Sequence, residues 1–346
     1  MYRNRRPGVP AALAAAFLFG AGTPLAKLLL DGVSPWLLAG LLYLGSGIGL
    51  TLYRLLTRAP HVRLPRNEVP WFAGAILAGG MVGPVLLMIG LKEISASGAS
   101  LLLNSEGVFT ALLAWFAFKE NVDRRIALGM LSIVAGAAVL SWPAEARLTA
   151  LWPTLAVLGA CLAWAVDNNL TRKVSLNDAT WIAAVKGLVS GTVNLGLAFS
   201  LGAGVPALSK IAGAMGVGFF AYGASLALFV VGLRHLGTAR TSAYFSVAPF
   251  IGALLAVSMG EAVTPQLAVA GALMALGLWL HLTERHEHEH THEDMWHEHE
   301  HVHDEHHRHE HSGVATAGDR HTHWHRHEPL SHIHPHFPDA HHRHGH

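Results

Sequence analysis

Two charged residues, Glu106 and Lys186, lie where apolar surroundings should forbid them. Glu106 stands in LLLNSEGVFTALL and Lys186 in WIAAVKGLVSGTVNL, each well inside a run of hydrophobic side chains. A charge at the middle of a bilayer costs about 2.5–3.5 kcal/mol even on a permissive insertion scale, so both are expected to face protein or water. There Glu106 could bind a cation, carry a proton, or partner another buried polar group. Ser190 and Asn194 follow Lys186 at i+4 and i+8, which makes a polar stripe along one helical face. A Glu106–Lys186 ion pair is the simplest arrangement that tolerates both charges. It is a lock if structural and a switch if a proton or substrate breaks it. An anionic substrate would engage Lys186, whereas a cationic one would need Glu106 to neutralise that lysine.

Further polar residues interrupt other apolar runs. Asp167-Asn168-Asn169 precedes Thr171-Arg172-Lys173; Asp167 is deep enough to line a cavity, while Arg172 and Lys173 should snorkel to the membrane edge. Asn104 and Tyr244 are either cavity-lining groups or helix-to-helix hydrogen-bonding groups. The candidate substrate-binding set is therefore Glu106, Lys186, Asp167, Asn168, Asn104, Ser190 and Tyr244. Glu120 and Glu261 fall at loop positions and read as acids at helix N-termini.

The second chemical feature is a histidine repeat. Residues 284–346 hold 23 of the 26 histidines, in stretches such as HEHEHTHE and HTHWHRHE. Neutral imidazole is a good ligand for Ni²⁺, Co²⁺, Zn²⁺ and Cu²⁺, and interleaved carboxylates add charge. Candidate metal ligands are His286, His288, His290, His292, His297, His299, His301, His303, His306, His307, His309, His311, His321, His323, His325 and His327. No fixed Cys/His finger spacing occurs, so several weak sites are expected rather than one rigid site. With few aliphatic residues the segment cannot bury a core, and it is expected to be disordered.

The elements that must position these residues follow from composition. Hydrophobic residues make up 51% of the 346 and charged residues only 14%, too few for an ordinary soluble enzyme. Residues 1–283 carry nineteen basic against ten acidic side chains, and the tail five against thirteen. Ten stretches approach the 20 or so apolar residues that a bilayer-spanning helix needs: 9–30, 35–57, 69–91, 96–118, 124–142, 150–171, 179–201, 209–233, 238–259 and 263–282. They are continuous and rich in Ala, Leu and Gly, without the alternation of a membrane barrel. Pro24, Pro84 and Pro249 fall inside them and are expected to bend helices. Lys and Arg cluster at the N-terminus and in every second loop, which places both termini and the tail in the cytoplasm. The first run reads as an uncleaved span rather than a signal peptide, since nine more follow it. One cysteine, Cys161, excludes an intrachain disulfide.

The chain also resembles itself. At an offset of 145, Leu25, Lys27, Trp36 and Ala39 meet Leu170, Arg172, Trp181 and Ala184; at 142, Gly90-Leu91-Lys92 meets Gly232-Leu233-Arg234; at 141, Glu120, Val122 and Gly136 meet Glu261, Val263 and Gly277. Five spans per unit would insert the second unit upside down, an arrangement that recurs in transporters with a site near the midplane. The expected fold is an all-α polytopic membrane protein of ten transmembrane helices as two inverted five-helix repeats, plus a disordered tail. Its parts are an N-terminus over 1–8, repeats over 9–142 and 143–283, and the tail over 284–346.

On the segments Gly90–Gly136 and Gly232–Gly277, each with a Gly-Leu-basic stretch before its fourth span and a Glu before its fifth, the chain resembles the EamA type of the drug/metabolite transporter superfamily. The resemblance covers about residues 9–282 and leaves the tail outside. It implies a bacterial inner-membrane carrier working by alternating access, with a cavity lined by spans one to four and six to nine and with spans five and ten as supports. The expected function is a secondary carrier of either a divalent metal or a small metabolite, with a cytoplasmic tail that senses or buffers Ni, Co, Zn or Cu. A non-transporting membrane metal sensor or storage protein is the alternative. No nucleotide loop or nucleophile constellation suggests an enzyme. The expected partners are the bilayer and a small-molecule or ion substrate, without nucleic acid; a homodimer is compatible with this reading. No cofactor is required.

Overall fold

The computed structural model describes residues 8–118, 124–142, 151–174, 177–236, 241, 244–282, 287–292, 295–301, 321–327 and 330–335. They form two separate units, Met1–Glu284 and Arg285–His346.

The first unit is all helical. Its chain runs α1 (Gly8–Leu29), α2 (Pro35–Leu56), α3 (Val69–Ala75), a π-helical segment (Ile76–Val82), α4 (Gly83–Glu93), α5 (Ala96–Leu102), α6 (Ser105–Phe118), α7 (Arg124–Ser141), α8 (Trp152–Thr171) and α9 (Ala179–Ser200). It continues through α10 (Leu208–Val217), a second π segment (Gly218–Ala224), α11 (Ser225–Leu236), α12 (Ala248–Ser258) and α13 (Pro265–Leu282). Helix starts follow capping chemistry. The Ser34 hydroxyl accepts from the Leu37 amide with Pro35 next in line, Ser95 accepts from Gly98, and Asp178 accepts from Thr180 and Trp181.

The expectation of ten full spans is corrected. Among the described residues five helical stretches are long and apolar enough to cross a membrane: Gly8–Leu29, Pro35–Leu56, Val69–Glu93, Ala179–Ser200 and Leu208–Phe229. Two of the others carry identifiable polar interruptions. The run 96–118 divides at Leu103-Asn104 into α5 and α6, and α8 ends in a polar turn holding Asp167, Asn168 and Asn169. Pro249 does not bend a span; it sits in the first turn of α12, where its missing N–H removes no helical bond. Among the described residues the body is thus all-α and polytopic with five long spans, rather than ten spans in two inverted five-helix repeats.

Helix α2 lies against α9 along its length, α4 and α6 against α8, α1 against α11 and α12, α5 against α12, and α7 against α13. Lipid tails are as apolar as Leu, so such contacts gain from close backbone approach rather than from expelling water. At the α2–α9 crossing a β-carbon on Gly187 would stand 2.6 Å from the Gly47 nitrogen. Leu37, Leu38, Leu87, Met88, Leu91, Leu102, Val157 and Met274 belong to the main buried cluster, and Leu50, Ala183 and Ala184 form a smaller one.

The tail corrects the expectation of disorder where it is described. Strands β1 (Glu287–His292) and β4 (Leu330–Pro335) pair antiparallel, as do β2 (Met295–His301) and β3 (His321–His327). Alternating His-X-His is a period-two pattern, the period of a strand. His286, His303, His306, His307, His309 and His311 lie outside the described residues. The ladder sets His297 opposite His325, His299 opposite His323 and His301 opposite His321. A ladder matches residues two by two, whereas a metal centre needs three or four convergent ligands. No group of three or more His, Cys, Asp or Glu that could hold a metal ion occurs among the described residues. The expected Ni, Co, Zn or Cu binding by the tail, and with it the metal-sensing function, is withdrawn.

Candidate functional site

The site begins with one proline. Pro84 carries no N–H, so the Gly80 carbonyl four residues earlier loses its helical partner. The chain responds with the π segment, in which the Gly83 amide bonds back to Ala78 instead of Gly79. Two carbonyls, those of Gly79 and Gly80, are thereby released toward α2, α8 and α9. Tyr43 Oη donates to the Gly79 oxygen at 2.8 Å, and Trp164 Nε1 donates to the same oxygen at 2.9 Å, using both its lone pairs. Asn194 Nδ2 donates to the Gly80 oxygen at 3.3 Å. Both glycines are required. A β-carbon on Gly79 would run into the Asp167 carboxylate, and one on Gly80 into Ser190 Oγ.

Around this released backbone the charges assemble differently from expectation. Lys186 Nζ donates to both carboxylate oxygens of Asp167 at 2.6 Å, not to Glu106. Thr171 Oγ1 adds a third bond to Asp167 at 2.8 Å. Glu106 accepts from Asn168 Nδ2 at 2.7 Å. The break at Leu103-Asn104 also relocates Glu106: it lies in the first turn of α6, where unpaired amides favour a carboxylate, rather than in mid-helix. Glu106 and Asp167 remain within electrostatic reach of each other. Of the seven expected residues, Glu106, Asp167, Asn168, Lys186 and Ser190 come together. Asn104 does not; its amide donates to Leu101 at the helix break and faces Met274. Tyr244 is exposed.

Sequence reasoning missed the aromatic wall. Tyr43 meets Tyr222 at 5.5 Å with the rings tilted, Tyr222 meets Phe19 at 5.9 Å, and Phe19 meets Phe245 at 5.3 Å. Aromatic residues scattered in apolar helices carry no periodic signal that separates cavity from core. The Gly79-Gly80 pair ahead of Pro84 was the one legible clue.

Fixed contacts hold the two ends of the body. At one end Lys27 Nζ donates to the carbonyls of Leu91, Lys92 and Ile94 at 2.6–2.9 Å, closing the C-terminus of α4. Beside it Glu261 accepts from the amides of Ala96 and Ser97 at 2.6 and 2.8 Å. Glu261 is thus a helix N-terminal acid, but of α5 rather than of α13, which follows it; Glu120 lies outside the described residues. Partial burial pushes the Glu261 carboxyl up, and the Ser97 and Ala96 bonds with Lys27 outweigh it and hold it below the ordinary range. At the other end Arg54 pairs with Asp178 at 2.8 Å and donates to Thr180 and to the Pro60 carbonyl, each at 2.7 Å. Burial raises the Asp178 carboxyl, but bonds from Thr180, the Trp181 amide and Arg54 bring it below its ordinary value.

Residues 6–142 match the EamA-like transporter family. An uncharacterized transporter of Methanothermobacter thermautotrophicus is 27% identical over 298 residues, covering 81% of this chain and 87% of its own. The uncharacterized transporter YyaM of Bacillus subtilis is 24% identical, over 62% of this chain and 73% of its own. In Pseudomonas aeruginosa, the probable 4-amino-4-deoxy-L-arabinose-phosphoundecaprenol flippase subunit ArnE is 35% identical over 109 residues, 30% of this chain and 92% of its own. A solved crystal structure, 20% identical, superposes with a TM-score of 0.61 over 78% of this chain and 95% of that one, a likeness of fold.

Proposed function

The chain belongs to the EamA-like transporter family and is therefore not an enzyme, and from that premise we propose that it carries a small polar organic solute across the membrane through the centre bounded by Glu106, Asp167, Asn168 and Lys186. The observation that supports this reading most is the Asp167–Lys186 pair, which is held against a helix whose hydrogen bonding has been opened. Ionisable groups inside a membrane body mark substrate pathways more often than structural decoration. Opposed charges with an adjoining aromatic wall suit a solute that carries an amine, a carboxylate, or both. Its charged ends would exchange with Lys186 and Asp167 while a flat or apolar part lies on Tyr43 and Tyr222. The ArnE relatives, named for an amino-sugar lipid flippase, are in keeping with an amine-bearing cargo.

The contacts at the two ends supply the gates in this reading. Lys27 and Glu261 tie α1 and the turn before α13 to the α4–α5 junction, and Arg54 ties α2 to the start of α9. Releasing one set while keeping the other opens the centre to one side at a time. The three arginines ahead of α1 support a membrane orientation with the N-terminus in the cytoplasm. The internal offsets support two related units over 9–142 and 143–283, as do the π segments, which start at Ile76 and Gly218, also 142 residues apart.

The test is flux in liposomes reconstituted with the full chain, using labelled amino acids and small amines as the panel. Saturable uptake or exchange of one member, lost in Asp167→Asn and Glu106→Gln, is the expected result. If every panel member crosses equally well with the wild type and with both variants, the centre is not a solute path.

A further inference from the structure

Four buried side-chain oxygens among the described residues are left without a hydrogen-bond partner, on Ser100, Thr110, Ser190 and Asn194, and the last two share one helix. Ser190 Oγ and Asn194 Oδ1 are buried and have no hydrogen-bond partner among the described residues. Both residues are 0% exposed. Each such acceptor costs about 1–3 kcal/mol if nothing meets it, and native proteins rarely leave two side by side. They stand one turn apart on α9, on the face that meets the π segment. The Asn194 amide nitrogen is committed to Gly80, so its oxygen is available only as an acceptor. Gly80 brings its backbone so near that no β-carbon would fit beside Ser190 Oγ. Lys186, one turn before Ser190, reaches the Asp167 carboxylate from the same face.

We propose that Ser190, Asn194 and the Asp167 carboxylate form a binding site for a monovalent alkali cation of sodium size, which competes with the Lys186 ammonium for Asp167. The chemistry is that of a hard cation, since the donors are a hydroxyl, an amide oxygen and a carboxylate, beside helix backbone whose carbonyls have been released. Charge selects the valence. Displacing the Lys186 ammonium leaves the single charge of the Asp167 carboxylate to neutralise, which one monovalent cation does. Full burial at a glycine contact selects a bare ion over an organic amine. With Lys186 on Asp167 the site is closed to the ion. When the ion takes Asp167, the Lys186 ammonium is freed to meet a carboxylate of the solute. The binding event stands without the carrier reading; its role as a coupling ion rests on that reading.

The experiment is thermal unfolding of the full chain in detergent, in NaCl, KCl or choline chloride at equal ionic strength, together with binding of ²²Na⁺. The expected result is a saturable rise of Tm in NaCl or KCl over choline chloride. Ser190→Ala should raise the half-saturating concentration about tenfold, the equivalent of about 1.4 kcal/mol. Lys186→Gln, which removes the competitor, should lower it by a similar factor and so tests the site even if Ser190→Ala fails to fold. Identical Tm in all three salts for both the wild type and Lys186→Gln would overturn the proposal and leave the two oxygens to ordered water. A saturable response unchanged by Ser190→Ala would also overturn it, because the ion would then bind elsewhere. Neither result touches the flux assay, so the loss of the ion site and the loss of the carrier reading remain distinct.

Discussion

Lys186 Nζ lies 2.6 Å from each carboxylate oxygen of Asp167, which ties α9 to α8 beside the one stretch of α3–α4 whose backbone is not α-helical. The lysine side chain is 16% exposed and the aspartate 10%, so water screens the pair weakly. Removing one partner of a buried pair costs about 3–5 kcal/mol, because the other charge stays behind. Asp167→Asn should therefore lower stability by that order and abolish flux. The double variant Asp167→Asn, Lys186→Met should recover most of the stability and none of the flux. Denaturant unfolding in detergent, run beside the liposome assay, separates the two.

The Gly79 carbonyl accepts from both Tyr43 and Trp164. Tyr43→Phe or Trp164→Phe alone leaves it one donor and should cost about 1 kcal/mol. The pair together leaves a buried carbonyl bare and should cost more than the sum, by about 1 kcal/mol or more. A double-mutant cycle on Tm reads this coupling; strict additivity would show that the two side chains do not share the acceptor.

Gly80→Ala places a methyl group against Ser190 Oγ, and overpacking of this kind costs about 1–3 kcal/mol. The same change at Gly196, which has open space around its would-be β-carbon, should be neutral or stabilising in a helix interior. Comparing the two Tm values tests whether the π segment is set by contact with α9 or by local propensity.

Stability should fall on acidification through two contacts outside the spans. The Asp178 and Glu261 carboxyls lie below their free-chain values of 3.8 and 4.5 in the folded protein. A depressed folded pKa means that the unfolded chain binds protons first. Their contribution is thus fully present above the unfolded values and is lost as pH falls through the folded ones. Tm measured from about pH 6 down to about pH 3 should decline, and Glu261→Gln or Asp178→Asn should each flatten the decline. Glu261→Gln should also cost about 1 kcal/mol at neutral pH, the value of a charged helix cap.

Truncation after Thr283 should leave the Tm of the helical body unchanged, since the body carries its own core and the tail forms a separate unit. A large drop in Tm would show that the strands support the helices.

Much of this protein was decided by its composition and order of residues. Long apolar runs required helices in a bilayer, because only helices and closed barrels satisfy their own polar groups there and the runs lack a barrel's alternation. Glu106, Asp167 and Lys186 were conspicuous for the same reason, being charges in a solvent that rejects them. The tail's period-two pattern was equally visible, yet its strands were not foreseen, because a polar composition without aliphatic residues was weighed above the alternation. Only the tertiary structure decided which charges meet. The sequence held two acids and one deep lysine, and any pairing would have satisfied charge balance. The break at Asn104 withdrew Glu106 to a helix start, where Asn168 donates to it, and Lys186 was left for Asp167. The oxygens of Ser190 and Asn194 became significant only when α9 was laid against two glycine carbonyls freed by a proline. Spacing along a chain records which side chains share a helix face, but the neighbours that a face acquires depend on how closely the helices approach.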